Sequence, residues 1–200
     1  MYQNIIFDMG GVLLEFSMGR IMEHFYGDLS REDRQLVWSA MRDSGHWPRW
    51  DRGEIGAQEV LQAICAHLPE RLHERVRGHV PSFFEAMTPI PGTNALVREL
   101  KAMGRNVYLL TNVPSIFEQE KRRIPCLDCF DGILASYEAH LLKPEREIYL
   151  AFLERFGLRA EDCFFIDDMQ ANIDGAAAAG IAGHCFGDGD VARLRTALGM

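Results

Sequence analysis

The sequence predicts an α/β protein that has a Rossmann-like parallel sheet core and an inserted α-helical cap domain. Three observations lead to this prediction. Short apolar segments alternate with helical patterns, several of these segments end in polar residues, and residues 16–88 contain helical patterns without a good strand. Alternating strands and helices are typical of a parallel sheet covered by crossover helices. A long helical interruption is typical of an insertion.

The composition limits the function classes. The chain has 200 residues, of which 48% are hydrophobic and 25% charged, and this is typical of a globular protein. Its formal net charge of −8 repels phosphate backbones, so we expect no nucleic-acid partner. No apolar run approaches the ~20 residues of a membrane span, and the first residues do not form a signal peptide. We therefore expect a cytoplasmic protein that has no membrane partner.

The cysteines are odd in number and scattered, which favours reduced thiols in a cytosol over disulfides. They are Cys65, Cys126, Cys129, Cys163 and Cys185. Cys126 and Cys129 form one C-x-x-C pair, but no second ligand pair with zinc-site spacing accompanies it. We interpret the pair as ordinary cysteines near a turn.

The predicted strands are short, apolar on both faces and closed by polar or glycine residues, as in a buried parallel sheet. The three clearest are Gln3–Phe7, Asn106–Leu110 and Cys163–Ile166, and the two weaker ones are Gly132–Ala135 and Ile181–Phe186. They end at Asp8, at Thr111-Asn112 and at Asp167-Asp168 in the clear cases.

Three predicted core helices lie between these strands and end at a glycine, the usual residue just after a helix, and a fourth closes the chain. They are Gly92–Met103, Glu145–Phe156, Ala171–Ala179 and Asp190–Leu198.

The inserted segment is predicted to be wholly helical. Its patterns cover Met18–Tyr26, Arg31–Arg42, Ala57–His67 and Arg71–Met87, and Ser30 is placed to cap the second of them. We therefore divide the chain into an α/β core domain, residues 1–15 and 89–200, and a helical cap domain, residues 16–88.

Polar residues at several strand ends point to one site, because parallel sheets bind ligands at the carboxyl ends of their strands. Asp8, Thr111-Asn112, Asp167-Asp168 and the dipeptide Lys143-Pro144 form this set. A carboxylate can attack phosphorus and form an acyl phosphate, provided that positive charge brings the two anions together. Mg²⁺ supplies this charge through hard oxygen ligands.

The set assigns a role to each residue. Asp8 is the predicted nucleophile and, with Asp168 and the Gly10 carbonyl, a predicted Mg²⁺ ligand. Asp167 would hold a metal-bound water or orient its neighbour. Lys143 would offset the clustered carboxylates and keep Asp8 an anion.

The remaining predicted contacts concern the phosphate. Thr111, a catalytic residue in this scheme, and Asn112 would donate hydrogen bonds to its oxygens. Gly10 and Gly11 would let backbone amides approach an anion closely.

Four segments of the chain resemble the motifs of the haloacid dehalogenase-like hydrolase superfamily: Phe7–Leu13, Leu110–Asn112, Lys143-Pro144 and Phe165–Asn172. The resemblance covers the whole chain, and the family places its helical C1 cap after the first strand. It implies an Mg²⁺-dependent phosphatase that acts on a small phosphorylated metabolite through an aspartyl-phosphate. We expect a monomer, with a dimer as the alternative.

The cap resembles more narrowly the sugar-phosphate phosphatases that act on glucose 1-phosphate. The resemblance lies in the element Arg52-Gly53-Glu54-Ile55 and makes Arg52 a predicted substrate-binding residue. The neighbouring His46, Trp47, Arg49, Trp50 and Asp51 are predicted either to face the substrate or to pack the cap's own core.

One position departs from the family pattern. Most phosphatases of this family carry a second aspartate two residues after the nucleophile, as general acid and base, whereas this chain has Gly10. Glu15 is a candidate replacement, but the favoured interpretation of Glu15 is a hinge residue or a surface charge. The departure leaves two alternatives open. The first is a metal-independent 2-haloacid dehalogenase, against which the acidic pair Asp167-Asp168 argues. The second is a module that binds a phosphate ligand with little turnover.

Overall fold

The sheet of the computed structural model, which describes residues 2–200, is parallel and has β1 (Asn4–Phe7) at its centre. The other strands are β2 (Leu14–Glu15), β3 (Thr88–Pro89), β4 (Asn106–Thr111), β5 (Gly132–Ala135), β6 (Cys163–Asp167) and β7 (Ala182–Cys185). The five long strands have the order β5-β4-β1-β6-β7, and β1 pairs in parallel with both β4 and β6. The predicted fold class is confirmed.

Successive side chains of β1 are buried on opposite faces of this sheet, because neighbouring residues of a strand point to opposite sides. Ile6 joins a cluster that contains Phe152 and Phe165. Ile5 and Phe7 join a second, larger cluster, which also contains residues of the helical segment that follows β2. One apolar core is therefore shared by a face of the sheet and by these helices.

The segment between β2 and β3 is helical, as predicted. It contains α1 (Met18–Tyr26), α2 (Arg31–Asp43), α3 (Trp47–Asp51), α4 (Ala57–Ala66) and α5 (His73–His79). Ser30 caps α2 as expected, since its Oγ accepts a hydrogen bond from the Asp33 amide at 3.0 Å. β2 and β3 pair antiparallel where this segment leaves and rejoins the sheet. We call the segment the cap, and its status as a separate domain stays a prediction.

The last predicted cap helix, Arg71–Met87, is wrong as a single element. The chain forms α5 between two 3₁₀ turns, Glu70–Leu72 and Val80–Ala86. Proline at position 81 has no amide hydrogen to donate, so a regular α-helix cannot continue through it without losing a bond. The short α3 was not predicted.

In the described part of the chain, six helices follow the cap, and the four that were predicted lie close to their predicted bounds. They are α6 (Pro91–Ala102), α7 (Phe117–Glu120), α8 (Ser136–Ala139), α9 (Arg146–Phe156), α10 (Gln170–Ala178) and α11 (Val191–Ala197), of which α7 and α8 are short and were not predicted. No helix within residues 2–200 is both long and apolar enough to cross a membrane. The five cysteines are free thiols.

Candidate active site

The topology brings three polar strand ends together. β4, β1 and β6 are neighbours in the sheet and run in the same direction, so their carboxyl ends meet at one edge. Asp8 follows β1, Thr111 ends β4 and Asp167 ends β6. All three residues are buried. The sequence predicted this convergence from the order of its apolar runs.

Lys143 lies between two of these carboxylates. Its Nζ is 2.8 Å from Asp8 Oδ1 and 2.6 Å from Asp167 Oδ2, and its side chain is only 2% exposed. A buried ammonium needs such partners, because an isolated charge in the interior is strongly unfavourable. The pair of contacts fixes the position of the ammonium beside Asp8.

The charges of this cluster oppose one another. Burial raises the pKa of Asp8 to about 7, while Lys143 lowers that pKa and Asp167 raises it. Burial alone would lower the pKa of Lys143, but the charges of Asp8 and Asp167 outweigh it and the pKa is raised. Lys143 therefore stays protonated and provides the positive charge that favours ionised Asp8.

Three carboxylates converge closely enough to share a cation. One oxygen each from Asp8, Asp167 and Asp168 lies within 4.8 Å of the other two. Asp8 Oδ1 is buried and lies 2.8 Å from the Lys143 ammonium, which satisfies one of its two lone pairs. Burial, and then the charge of Asp167, raises the pKa of Asp168. Clustered, incompletely bonded carboxylate oxygens are a donor set that suits a hard divalent ion.

Asp167 has little bonding capacity left for a ligand. Its Oδ1 accepts hydrogen bonds from the Met169 amide at 2.9 Å and from Asn172 Nδ2 at 2.8 Å, and its Oδ2 accepts one from Lys143. Of the two predicted roles, these bonds favour orientation of its neighbours over direct contact with a metal or its water. Asn172 ties the loop to the start of α10.

The sequence suggested that the Gly11 amide approaches an anion, but in the structure this amide already has a backbone partner. Its N–H donates to the Leu14 carbonyl at 2.8 Å. Its φ is +71°, and a Cβ at this position would lie 2.5 Å from the Asp168 carboxyl. Glycine is needed here for the left-handed backbone and for the close approach of Asp168.

Asn112 contacts the backbone of Lys143 from both ends of its amide group. Its Nδ2 donates to the Lys143 carbonyl, and the Lys143 N–H donates to its Oδ1, both at 2.9 Å. The predicted phosphate donor is thus engaged in holding the loop that carries Lys143. Thr111 and Asn112 nevertheless both line the cavity above Asp8.

Arg52 does not line that cavity, in contrast to its predicted role in substrate binding. Its guanidinium forms two hydrogen bonds with Glu145, at 2.5 and 2.8 Å. A bidentate carboxylate partner satisfies the planar fork of arginine. Its carbonyl also lies 2.9 Å from His140 Nδ1. We therefore assign Arg52 to the attachment of the cap to the core.

A cavity of about 450 Å³ lies between the cap and the strand ends. Asp8, Gly10, Lys143 and Asp168 line its core side, and the cap contributes much of the remainder. The contact of the Gly10 carbonyl with a metal stays a prediction.

The aromatic and charged residues of α3 divide between the two predicted roles. Trp47 and Asp51 line the cavity, whereas Trp50 is buried against Trp47 and Phe83. His46 and Arg49 are not among the cavity residues; they line a separate surface pocket.

Asp51 is held in place through its backbone. Ser136 Oγ donates to the Asp51 carbonyl at 2.6 Å and accepts from the Val113 amide at 2.9 Å. The Asp51 carboxyl has no side-chain hydrogen bond among the described residues, and burial raises its pKa to about 7. The sequence identified Asp51 only as one of several aromatic and charged residues in and next to α3. It could not show that Asp51 faces the cavity, because that depends on how the cap packs on the core.

Comparison with known proteins places the chain among hydrolases. The profile of the haloacid dehalogenase-like hydrolases matches residues 2–180. A sesquiterpene phosphatase of Aspergillus oryzae is 30% identical over 91% of this chain and 88% of its own length. A GMP/IMP nucleotidase of Escherichia coli is 35% identical over 92% of this chain and 81% of its own.

Dehalogenases are also similar: an (S)-2-haloacid dehalogenase of Pseudomonas fluorescens is 25% identical over 89% of this chain and 81% of its own. Among solved structures, a HAD family enzyme of Bacteroides thetaiotaomicron in complex with magnesium and inorganic phosphate superposes with a TM-score of 0.73 and 25% identity. That match covers 92% of this chain and 93% of the other.

Proposed function

Because the chain belongs to the haloacid dehalogenase-like hydrolase family, we propose that it is an Mg²⁺-dependent phosphohydrolase that uses Asp8 as its nucleophile. The observation that carries the proposal is the buried Asp8 carboxylate, 2.8 Å from the Lys143 ammonium, in a group of three carboxylates that converge within 4.8 Å. The substrate is a small phosphorylated metabolite, and phosphatases among the relatives support this class.

The donor set fits Mg²⁺. Asp8, Asp168 and the Gly10 carbonyl would hold the ion, since one oxygen each from Asp8, Asp167 and Asp168 lies within 4.8 Å of the other two. Bound Mg²⁺ neutralises charge on the phosphate and on the carboxylates around it. The relative solved with magnesium and inorganic phosphate supports this cofactor.

The reaction needs two displacements at phosphorus. An Asp8 oxygen attacks phosphorus, the bond from phosphorus to the ester oxygen breaks, and that oxygen takes a proton. Water then attacks the aspartyl-phosphate, and Asp8 leaves as a carboxylate together with inorganic phosphate. Lys143 keeps Asp8 ionised before the first displacement and again after the second, and the hydroxyl of Thr111 donates to a phosphate oxygen.

Gly10 leaves open which group supplies that proton. Glu15 does not line the cavity, and its carboxylate is bound by Arg20 and by Thr88 Oγ. Asp51 lines the cavity, lies outside the carboxylate trio, and has a pKa raised to about 7 by burial. We assign Asp51 as the acid that protonates the ester oxygen and the base that then activates water.

Replacing Asp51 with asparagine should lower kcat/KM for an alkyl phosphate by about 10²–10⁴-fold, the usual contribution of general acid catalysis. The loss should be much smaller for p-nitrophenyl phosphate, because its phenolate leaves without a proton. Since the acid works only when protonated, wild-type kcat/KM for the alkyl ester should fall as the pH rises through about 7. The other ionisable groups that line the cavity are Asp8, Arg42, Lys143 and Asp168.

The contrast between the two esters is the control for this assignment. If Asp51→Asn slows both by the same factor, or keeps the alkaline decline of the wild type, then Asp51 does not transfer the proton.

The competing activity is hydrolytic dehalogenation. It is favoured by Gly10 and by the dehalogenases among the relatives. We expect the purified protein to release phosphate from p-nitrophenyl phosphate with Mg²⁺, to stop when EDTA is added, and to release no chloride from 2-chloropropionate. Chloride release that is insensitive to EDTA, without phosphate release, would replace the phosphatase by a dehalogenase.

A further inference from the structure

The walls of the cavity above Asp8 are mostly apolar. Four aromatic side chains line it: Phe16, Trp38, Trp47 and Phe83. Trp47 and Phe83 pack edge to face, with ring centroids 5.5 Å apart, so they form a continuous surface. Aromatic walls of this kind gain free energy mainly by removing apolar ligand surface from water.

Methionines fill the space between these rings. Met18, Met41 and Met87 line the cavity from the cap side, and Met9 and Met169 line it from the loops next to Asp8 and Asp168. Methionine is flexible and polarisable, and it adapts to apolar ligands of varied shape. The cavity is therefore suited to apolar groups of more than one shape.

Polar groups are concentrated at the phosphate end. Thr111, Asn112 and Lys143 belong to the core side, and among the described residues of the cap only Arg42 and Asp51 add charged side chains. The Arg42 guanidinium is already hydrogen-bonded to Asp43, at 2.8 Å. A sugar presents a hydroxyl on nearly every carbon, and each one buried without a partner is strongly unfavourable. The described residues offer too few partners for a sugar ring.

From these walls we infer that the substrate is the phosphate monoester of an apolar alcohol, whose hydrocarbon chain or ring system fills the cavity while the phosphate faces Asp8. The inference rests on the proposed function, and it departs from the sugar phosphate that the cap sequence suggested. Asp51 is the polar group available to the ester oxygen or to a single hydroxyl on that hydrocarbon.

The first test compares ester series, each used below its micelle concentration. From butyl through hexyl to octyl phosphate, kcat/KM should rise about two- to fourfold for each added methylene, as expected for burial of apolar surface. Decyl phosphate should be a better substrate than glucose 1-phosphate, glucose 6-phosphate or inosine monophosphate. A preference of tenfold or more for one of the sugar phosphates or for the nucleotide would overturn the inference.

A binding measurement separates this inference from the proposed function. Butylphosphonate and decylphosphonate resist hydrolysis, and calorimetry with Mg²⁺ should find the decyl compound bound at least tenfold more tightly. If no ester is hydrolysed but this difference holds, then the phosphatase proposal fails and the apolar site stands. If the two phosphonates bind equally, then the apolar site fails, whatever the turnover.

Two substitutions on α2 provide a matched pair. Trp38 lines the cavity, whereas Leu36 lies on the same helix, is exposed, and does not line it. Trp38→Gln should lower the ratio of kcat/KM for decyl phosphate to that for glycerol phosphate by about tenfold. Leu36→Gln should leave the ratio unchanged. Equal ratios in both variants would argue against the cavity as the hydrocarbon site.

Discussion

Replacing Asp8 with asparagine is expected to abolish phosphate release, with kcat lowered by about 10⁴-fold or more, the scale seen when a covalent nucleophile is removed. Asparagine has nearly the same shape, but its neutral amide is a poor nucleophile and a weaker metal ligand. It also removes one of the two anions that hold Lys143. The measurement is release of phosphate from p-nitrophenyl phosphate at saturating Mg²⁺.

Two controls make this result specific. Asp128→Asn changes an exposed carboxylate that is paired only loosely with Arg98, at 3.5 Å, and should leave activity intact. Rapid quenching of the wild type followed by borohydride reduction should mark residue 8, since this reagent reduces an acyl phosphate. Full activity in Asp8→Asn, or a mark at another residue, would show that the nucleophile lies elsewhere.

Replacing Lys143 with methionine should both inactivate the protein and lower its free energy of unfolding by about 3–5 kcal/mol in the absence of metal. Methionine approximates the length of lysine but leaves Asp8 and Asp167 buried without the ammonium that lies within 2.8 Å of both. Urea unfolding measures this loss. Mg²⁺ should recover part of it, because the ion restores positive charge to the cluster.

Lys101→Met is the matched control for stability. Lys101 contacts Asp131 at 2.8 Å, but both side chains are about one-third exposed. Ion pairs of that kind contribute at most about 1 kcal/mol. Two outcomes would contradict this explanation: similar losses of stability in the two lysine variants, or no recovery with Mg²⁺ in Lys143→Met. Either would show that the buried carboxylates do not need the Lys143 charge for stability.

The sequence predicted the chemistry of this site better than its substrate contacts, and the reason is topological. Apolar runs identify buried strands, and a parallel sheet brings the ends of adjacent strands together whatever the loops do. Asp8, Thr111 and Asp167 follow from this rule alone. Lys143 required the family resemblance, because nothing local distinguishes a lysine before a proline.

The contacts made by the cap could not be predicted in the same way. The partner of Arg52 is Glu145, which lies 93 positions away and at the start of α9, and no pattern within the cap identifies it. The side-chain amide of Asn112 likewise donates to the backbone of a residue 31 positions away. The position of the cap on the core decides which α3 side chains face the cavity. Helical periodicity does not predict that position, because it depends on contacts between distant parts of the chain.

The ion cluster around Lys143 also bears on whether the site is in use. Buried charges of this kind often reduce stability relative to apolar residues of similar volume, so a chain under no catalytic demand would gain by exchanging them. Here Asp8, Lys143 and Asp167 are all present, and Asn112 after β4 and Asn172 in α10 hold them in place. A buried cluster of this kind lowers the stability of the fold but makes the carboxylates reactive. Such a combination is expected of an active enzyme rather than of an inactive relative.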